Sequence, residues 1–260
     1  MRDRGPQSLD TRRRLLNYCR VAPGRASAGA PDFRLPIWQY WHSGPDNAPD
    51  LVKGCMRSVK RHAGGRKVIV LDQTTLADYV SIPDELLKVQ AIGMPQFADI
   101  VRLYLLARYG GIWVDATVFL SGPIPEDIGR QGFFAFERDS DPYLLSNWFL
   151  AAMPGNALVE SMILSLLAYW RENDRLLHYF IFHFMFEGLV SLSEPLRQEW
   201  QAGLKLSATP PHRMQKFLPR PYDKAKFQEI LTETNIHKLT HKFRDVQPGP
   251  GSYCFKIAEL

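Results

Sequence analysis

Short unbroken apolar runs alternate with stretches of helical spacing through the first half of this chain. Residues 36–41 (PIWQYW) and 67–71 (KVIVL) are continuous apolar runs of the kind a strand shows when both its faces are covered. Between them Leu51, Cys55, Met56 and Val59 recur three and four apart over residues 50–62, which predicts a helix. Strand, helix and strand with such short connections form a βαβ unit with a right-handed crossover. Residues 74–80 and 83–91 predict two short helices, the second opened by Pro83 in its first turn.

Residues 97–120 (FADIVRLYLLARYGGIWVDATVFL) organise the rest. Ile100, Val101, Tyr104 and Leu105 form the apolar stripe of an amphipathic helix, and Asp99 and Arg102, three apart, project as neighbours from one side. Gly110-Gly111 stops the helix, because glycine takes positive φ without a Cβ clash. Residues 112–120 read as one alternating strand with Trp113, Asp115, Thr117 and Phe119 on a single face. Further strands are predicted over 133–137 and 146–152, then a helix over 157–170 and an aromatic helix within 176–190. The predicted class is α/β: a Rossmann-type mixed sheet flanked by helices in a single domain.

Charge changes this picture at one end only. The net +5 is carried by residues 1–34, where eight arginines face three aspartates, and the remainder is neutral. Residues 1–34 are therefore expected to be a basic, flexible arm and residues 35–260 the folded domain. A neutral body argues against a nucleic-acid-binding surface, which needs a basic face on the fold itself. The arm fits either a peripheral contact with anionic lipid headgroups or a solvated tail. Cys19, Cys55 and Cys254 are odd in number and widely spaced, which points to a reducing compartment. No apolar core follows the N-terminal arginines, and no stretch reaches the roughly 20 apolar residues of a membrane span. The expected location is cytoplasmic, at most peripheral at the inner face of the cell membrane.

Candidate chemistry gathers at predicted strand ends, where open α/β sheets bind ligands. Trp41, Asp72 and Asp115 all fall there. An aspartate in so apolar a strand is costly unless ionic or hydrogen-bonding partners satisfy it, which makes Asp115 the residue to explain. Neither GxGxxG nor GxxxxGK[ST] follows the first strand, so no dinucleotide or P-loop site is supported.

Asp99, Arg102, Tyr109-Gly110-Gly111 and Asp115 together resemble the donor-binding signature of the capsular polysaccharide synthesis protein family, related to DxD sugar transferases of GT-A fold. The segment SNWFLAAMPGNALVESMI (residues 146–163) and the stretch Lys238-Leu239-Thr240-His241-Lys242 resemble the same family. Here Thr117 stands where DxD enzymes carry their second acidic residue, giving Asp-Ala-Thr. The resemblance implies a GT-A-like domain, with residues 35–125 as nucleotide-sugar half and 126–260 as acceptor half and C-terminal tail. It implies that Trp41 stacks the base of a UDP-sugar donor, and that Asp99 and Arg102 hold hydroxyls of its sugar or ribose. It makes Asn147 a candidate contact to the donor sugar or to the acceptor. Asp115, next to Thr117, would bind ribose and a divalent ion (Mn²⁺ or Mg²⁺). His237, or His241 in its stead, would ligate that ion, and Lys242 would neutralise phosphate.

The expected activity is retaining, nucleotide-sugar-dependent glycosyl transfer to a saccharide or lipid-linked saccharide in bacterial capsular or other surface polysaccharide synthesis. No residue is assigned as catalytic base or nucleophile. Two rivals share the motifs: a catalytically silent sugar- or nucleotide-binding protein, and a membrane-peripheral scaffold of an assembly complex.

Overall fold

The computed structural model describes residues 6–23, 35–138, 143–244 and 246–260. The strands are β1 (Ile37–Tyr40), β2 (Val68–Leu71), β3 (Gly111–Val114), β4 (Val118–Leu120), β5 (Phe133–Glu137), β6 (Leu145–Ala152) and β7 (Ile236–Lys238). Five of them form a central sheet in the order β2-β1-β3-β6-β5, and β4 pairs with β7 in a separate two-stranded ribbon. β1 runs parallel to β2 and to β3, while β6 is antiparallel to β3 and β5. The sheet is mixed, and helices cover both its faces, as the spacing predicts.

The two crossovers flank the sheet on opposite sides. Helix Asp50–Arg61, which links β1 to β2, packs Val59 with Ile37, Ile112 and Val114. Helix Met94–Tyr109, which leads back to β3, packs Ile100, Val101 and Leu105 with Trp38 and Trp113 in the other layer. The chain thus reverses its winding between β1 and β3, and a crevice opens beyond the carboxyl ends of these neighbours. Trp41 and Asp115 are the residues that follow those two ends.

Helix Met94–Tyr109 begins a turn before the predicted start, with Pro95 in its first turn. It is also more enclosed than an amphipathic surface helix: Asp99 and Arg102 are buried along with its apolar residues. Gly110 (φ 64°) and Gly111 (φ 106°) follow, and here the glycines answer to space as well as to dihedral. A Cβ on Gly111 would lie 2.3 Å from the Pro36 carbonyl oxygen, and one on Gly110 would lie 2.6 Å from Pro154 Cδ. The Trp38 indole donates to the Gly110 carbonyl at 2.8 Å, tying the turn to β1.

The single strand expected over residues 112–120 is two strands in two sheets. β3 ends at Val114, residues 115–117 turn, with Val118 N–H donating to the Asp115 carbonyl at 2.9 Å, and β4 leaves to pair with β7. A straight strand would hold Asp115 in the sheet; the turn lets ionic partners surround it. The predicted short helices shrink to a 3-10 turn at Leu76–Asp78 and two four-residue turns, Asp84–Leu87 and Val89–Ile92.

The segment assigned to a flexible arm is packed over residues 6–23. Helix Pro6–Leu16 buries Leu15 completely and lies on helix Ile181–Leu192, with Arg12 3.3 Å from Glu187. Backbone N–H groups of Arg20 and Ala22 donate to Ser165 and Ser161 on helix Ala157–Glu172, each at 2.9 Å. Apolar residues set among the arginines supply the contact. Residues 1–5 and 24–34 of the predicted arm lie outside the described residues. The aromatic helix buries Ile181, Phe182, Phe184, Met185 and Phe186, so its apolarity is spent on the core. Among the described residues no helix is long and apolar enough to cross a membrane.

Two substitutions test this packing. Gly111→Ala combines left-handed backbone with a clash against main chain and is expected to reduce unfolding free energy by more than ~2 kcal/mol. Leu15→Ala is expected to cost about 2–5 kcal/mol in urea unfolding; an unchanged midpoint would mean that residues 6–23 do not pack as described.

Candidate functional site

A cavity of about 640 Å³ opens beyond β1 and β3. Its chemistry is a continuous chain of buried and half-buried polar groups from four parts of the fold. From helix Met94–Tyr109, Arg102 sends Nη1 to Asp99 Oδ1 (2.6 Å) and to the Asn147 carbonyl (2.8 Å). Its Nη2 reaches Asp115 Oδ1 at 3.2 Å. The Asn147 amide, on β6, donates to Asp99 Oδ1 at 2.8 Å. Asp115 Oδ1 also accepts from the Trp113 indole at 2.8 Å, while its Oδ2 accepts from Lys238 Nζ, on β7, at 2.7 Å. Lys238 Nζ donates as well to Thr117 Oγ1 at 2.7 Å. The Arg102 guanidinium lies over the Trp113 ring, 5.0 Å from its centre.

Each carboxylate feels this arrangement differently. Burial alone would raise the pKa of Asp115, but the charges of Lys238 and Arg102 and the hydrogen bonds from Lys238 and Trp113 outweigh it and hold the group below the ordinary carboxylate range. Asp99 shares Arg102 with Asp115 and has no second cation. Burial pushes it up to about 7 against the pull of Arg102, and the Asp115 charge adds to the rise. His183, also facing the cavity, is pushed down to about 3 by burial and then by the charges of Arg138 and Arg102, which leaves a neutral imidazole. Tyr179 is raised by burial and by Asp99 and Asp115.

Of the residues singled out from sequence, Trp41, Asp99, Arg102, Asp115, Thr117, Asn147 and Lys242 all line this one cavity. Trp41 packs edge-to-face with His241 at 5.3 Å between ring centres, and His241 also lines the cavity. Asp72 does not contribute: its carboxylate accepts from the backbone and hydroxyl groups of Thr74 and Thr75 and caps a turn. His237 is not brought to the cavity either. β7 alternates, so Lys238 faces Asp115 while the His237 imidazole points the other way, fully buried beside Phe119 and 3.0 Å from Ser121 Oγ. Burial drives its pKa down to about 4.

Lys238 is the principal residue that sequence reasoning missed. The signal was present in parity: once Asn235–Leu239 is read as a strand, Ile236 and Lys238 share a face that His237 cannot. His183, Tyr179 and Arg138 carry no comparable signal, since a histidine on an aromatic helix reads as core.

The expected divalent ion fits these residues poorly. Both oxygens of Asp115 are engaged, Thr117 offers a hydroxyl already held by Lys238, and an ammonium lies between the two. Among the described residues no group of three His, Cys, Asp or Glu side chains is placed to hold a metal ion.

Two measurements probe the network. Arg102→Ala leaves two carboxylates without their shared partner and is expected to cost about 3–5 kcal/mol of stability in chemical denaturation. Arg102→Lys should recover only part of it, because an ammonium cannot reproduce the guanidinium fork. Asp99 holds its proton in the folded state at pH values where the unfolded chain has lost it. Its contribution to stability is therefore complete below the ordinary carboxylate range and lost as pH rises through about 7. In Asp99→Asn that part of the stability–pH curve should flatten; an unaltered slope between about pH 4 and 7, the window between the two pKa values, would contradict the assignment.

Comparison with known proteins identifies the family. The family model described as capsular polysaccharide synthesis protein matches residues 25–257. The O-glycosyltransferase braB of Annulohypoxylon truncatum is 30% identical over 146 residues, covering 48% of this chain and 35% of that protein. The chain thus matches only about a third of the length of this curated relative. Among solved structures, the PaToxG glycosyltransferase aligns at TM-score 0.43 and 13% identity over 75% of this chain and 82% of that one. A transferase double mutant aligns at 0.37 and 12% over 62% and 86%. At these TM-scores the likenesses decide nothing about this chain. The family model, spanning nearly all of the residues that build the sheet and the cavity, does: the chain belongs to the capsular polysaccharide synthesis protein family.

Proposed function

We propose that this protein is a glycosyltransferase of GT-A type that binds a nucleoside-diphosphate sugar, a UDP-sugar in the first instance, and passes the sugar to a saccharide or lipid-linked saccharide during surface polysaccharide synthesis. The observation that carries the reading is one cavity at the switch point of the sheet that gathers an indole, an acid–cation pair and a strand-end carboxylate bound to a lysine. Its volume of about 640 Å³ suits a ligand of nucleotide-sugar size. Membership of the family supports the polysaccharide setting.

In this reading Trp41 offers its face to the base, and Asp99 and Asn147 take hydroxyls of the donor, carboxylate and amide together both accepting and donating. Lys238, Lys242 and Arg102 set positive charge where the diphosphate leaves. The C1–O bond to phosphate breaks with its electron pair going to the diphosphate, and an acceptor hydroxyl oxygen forms the new bond to C1. In a retaining transfer both events lie on one face of the sugar, so the hydroxyl proton has the departing phosphate oxygen as its nearest base. Fixed cations and donors aimed at the leaving group would lower the barrier by electrostatic stabilisation.

The test is a panel of nucleotide sugars assayed for released nucleoside diphosphate, with the anomeric configuration of the product read by proton NMR. One donor should stand out, and Asp115→Asn should lower kcat/KM by about 10²–10³-fold. If no donor is turned over, transferred or hydrolysed, the catalytic reading falls; binding without turnover would leave a sugar-nucleotide-binding protein in its place.

A further inference from the structure

We propose that Lys238, held by Asp115 and Thr117, stands in for the divalent ion used by Asp-x-Asp transferases as the local positive charge, so that nucleoside diphosphate binds here without metal. This rests on the transferase reading above and adds to it how the leaving group is neutralised.

Three observations carry it. The first is place. β7 runs antiparallel to β4 with Lys238 opposite Val118, and Leu239 N–H donates to the Thr117 carbonyl at 2.9 Å, so main-chain bonds set the lysine against the Asp-Ala-Thr turn. The second is valence. An ammonium has three N–H donors; Asp115 Oδ2 and Thr117 Oγ1, each at 2.7 Å, take two, and the third is left for a ligand oxygen. The third is charge. Two carboxylates and a divalent cation sum to zero, and so do one carboxylate, one hydroxyl and one ammonium. Thr117 in place of an acid and Lys238 in place of the ion are then a matched pair of changes. With Thr117 as aspartate, Lys238 would face two carboxylates; with Lys238 neutral, Asp115 would depend on Arg102 alone, a group it already shares with Asp99.

A lysine is less demanding than a metal ion in the geometry of its ligands, yet it cannot be removed by a chelator. Lys242 lines the same cavity and places a second positive charge on its wall.

Calorimetric titration of the full chain with UDP and with GDP, after EDTA treatment and again with Mn²⁺ or Mg²⁺ added, decides the matter. Wild type is expected to bind one of the nucleotides with dissociation constants that agree within about twofold across the conditions. Lys238→Ala should weaken binding by about 100-fold or more in EDTA, Lys238→Arg by less, since a charge-assisted donor is kept. The double variant Thr117→Asp/Lys238→Ala should bind nucleotide only when Mn²⁺ is present, and should broaden the Mn²⁺ paramagnetic resonance signal that wild type leaves unchanged. Thermal melting of each variant separates lost binding from lost fold. Wild-type binding that appears only with added metal, or undiminished binding by folded Lys238→Ala in EDTA, overturns the lysine proposal and leaves the transferase reading standing. Absence of nucleotide binding under every condition overturns both.

Discussion

A guanidinium with 4% of its side chain exposed, shared between two carboxylates, sets the terms for everything around it. Taking such charges out of water is expensive, and their mutual attraction recovers the expense only if every remaining donor and acceptor is met in good geometry. Arg102 comes from a helix, Asp115 from the end of β3, the Asn147 carbonyl and amide from β6, and Lys238 from the second sheet. None of these elements can shift far without stranding a charge. Such a network is a weak source of net stability, since an apolar replacement of equal volume avoids the desolvation altogether. Its worth lies in geometry: four elements are fixed to one another at the point where a ligand would sit.

The same constraint explains the break in what reads as a single strand. An aspartate within a continuous β3–β4 would meet only ladder neighbours; after the turn it meets an indole, a guanidinium and an ammonium. The second sheet brings the last of these: pairing of β7 with β4 sets Lys238 beside Asp115. The topology and the electrostatics are one problem solved together.

Where the sequence spoke clearly, it did so through period and steric necessity. The runs at 36–41 and 67–71, the helical spacing at 50–62 and the paired glycines each point to a local element, and the β2-β1-β3 part of the sheet is built from them. Asp99, Arg102 and Asp115 are legible because residue type and offset point to them together, and Trp41 because it ends a predicted strand where the family resemblance implies a base-stacking indole. What failed to show was whatever depends on distant pairing. Alternation continues through Asp115 and Thr117, so no local signal marks the turn between them. A three-residue strand such as β7 is too short to declare its parity, and His237 looked the better candidate beside the lysine that does the contact. The arginines of residues 12–14 mask Leu15, whose burial against helix Ile181–Leu192 only the folded neighbour reveals.

That neighbour has a second role. Helix Ile181–Leu192 carries His183 on the cavity wall, and Tyr179 and Phe180 line the same wall just before it. One turn beyond His183 the helix bears Glu187 against Arg12, and the Arg12 guanidinium lies over the Phe184 ring at 5.2 Å. The amino-terminal segment and the cavity thus meet neighbouring faces of one short rod. A tag, a fused partner or a proteolytic cut that lifts this segment would slacken one wall of the cavity, altering what fits inside while leaving every group in it chemically intact.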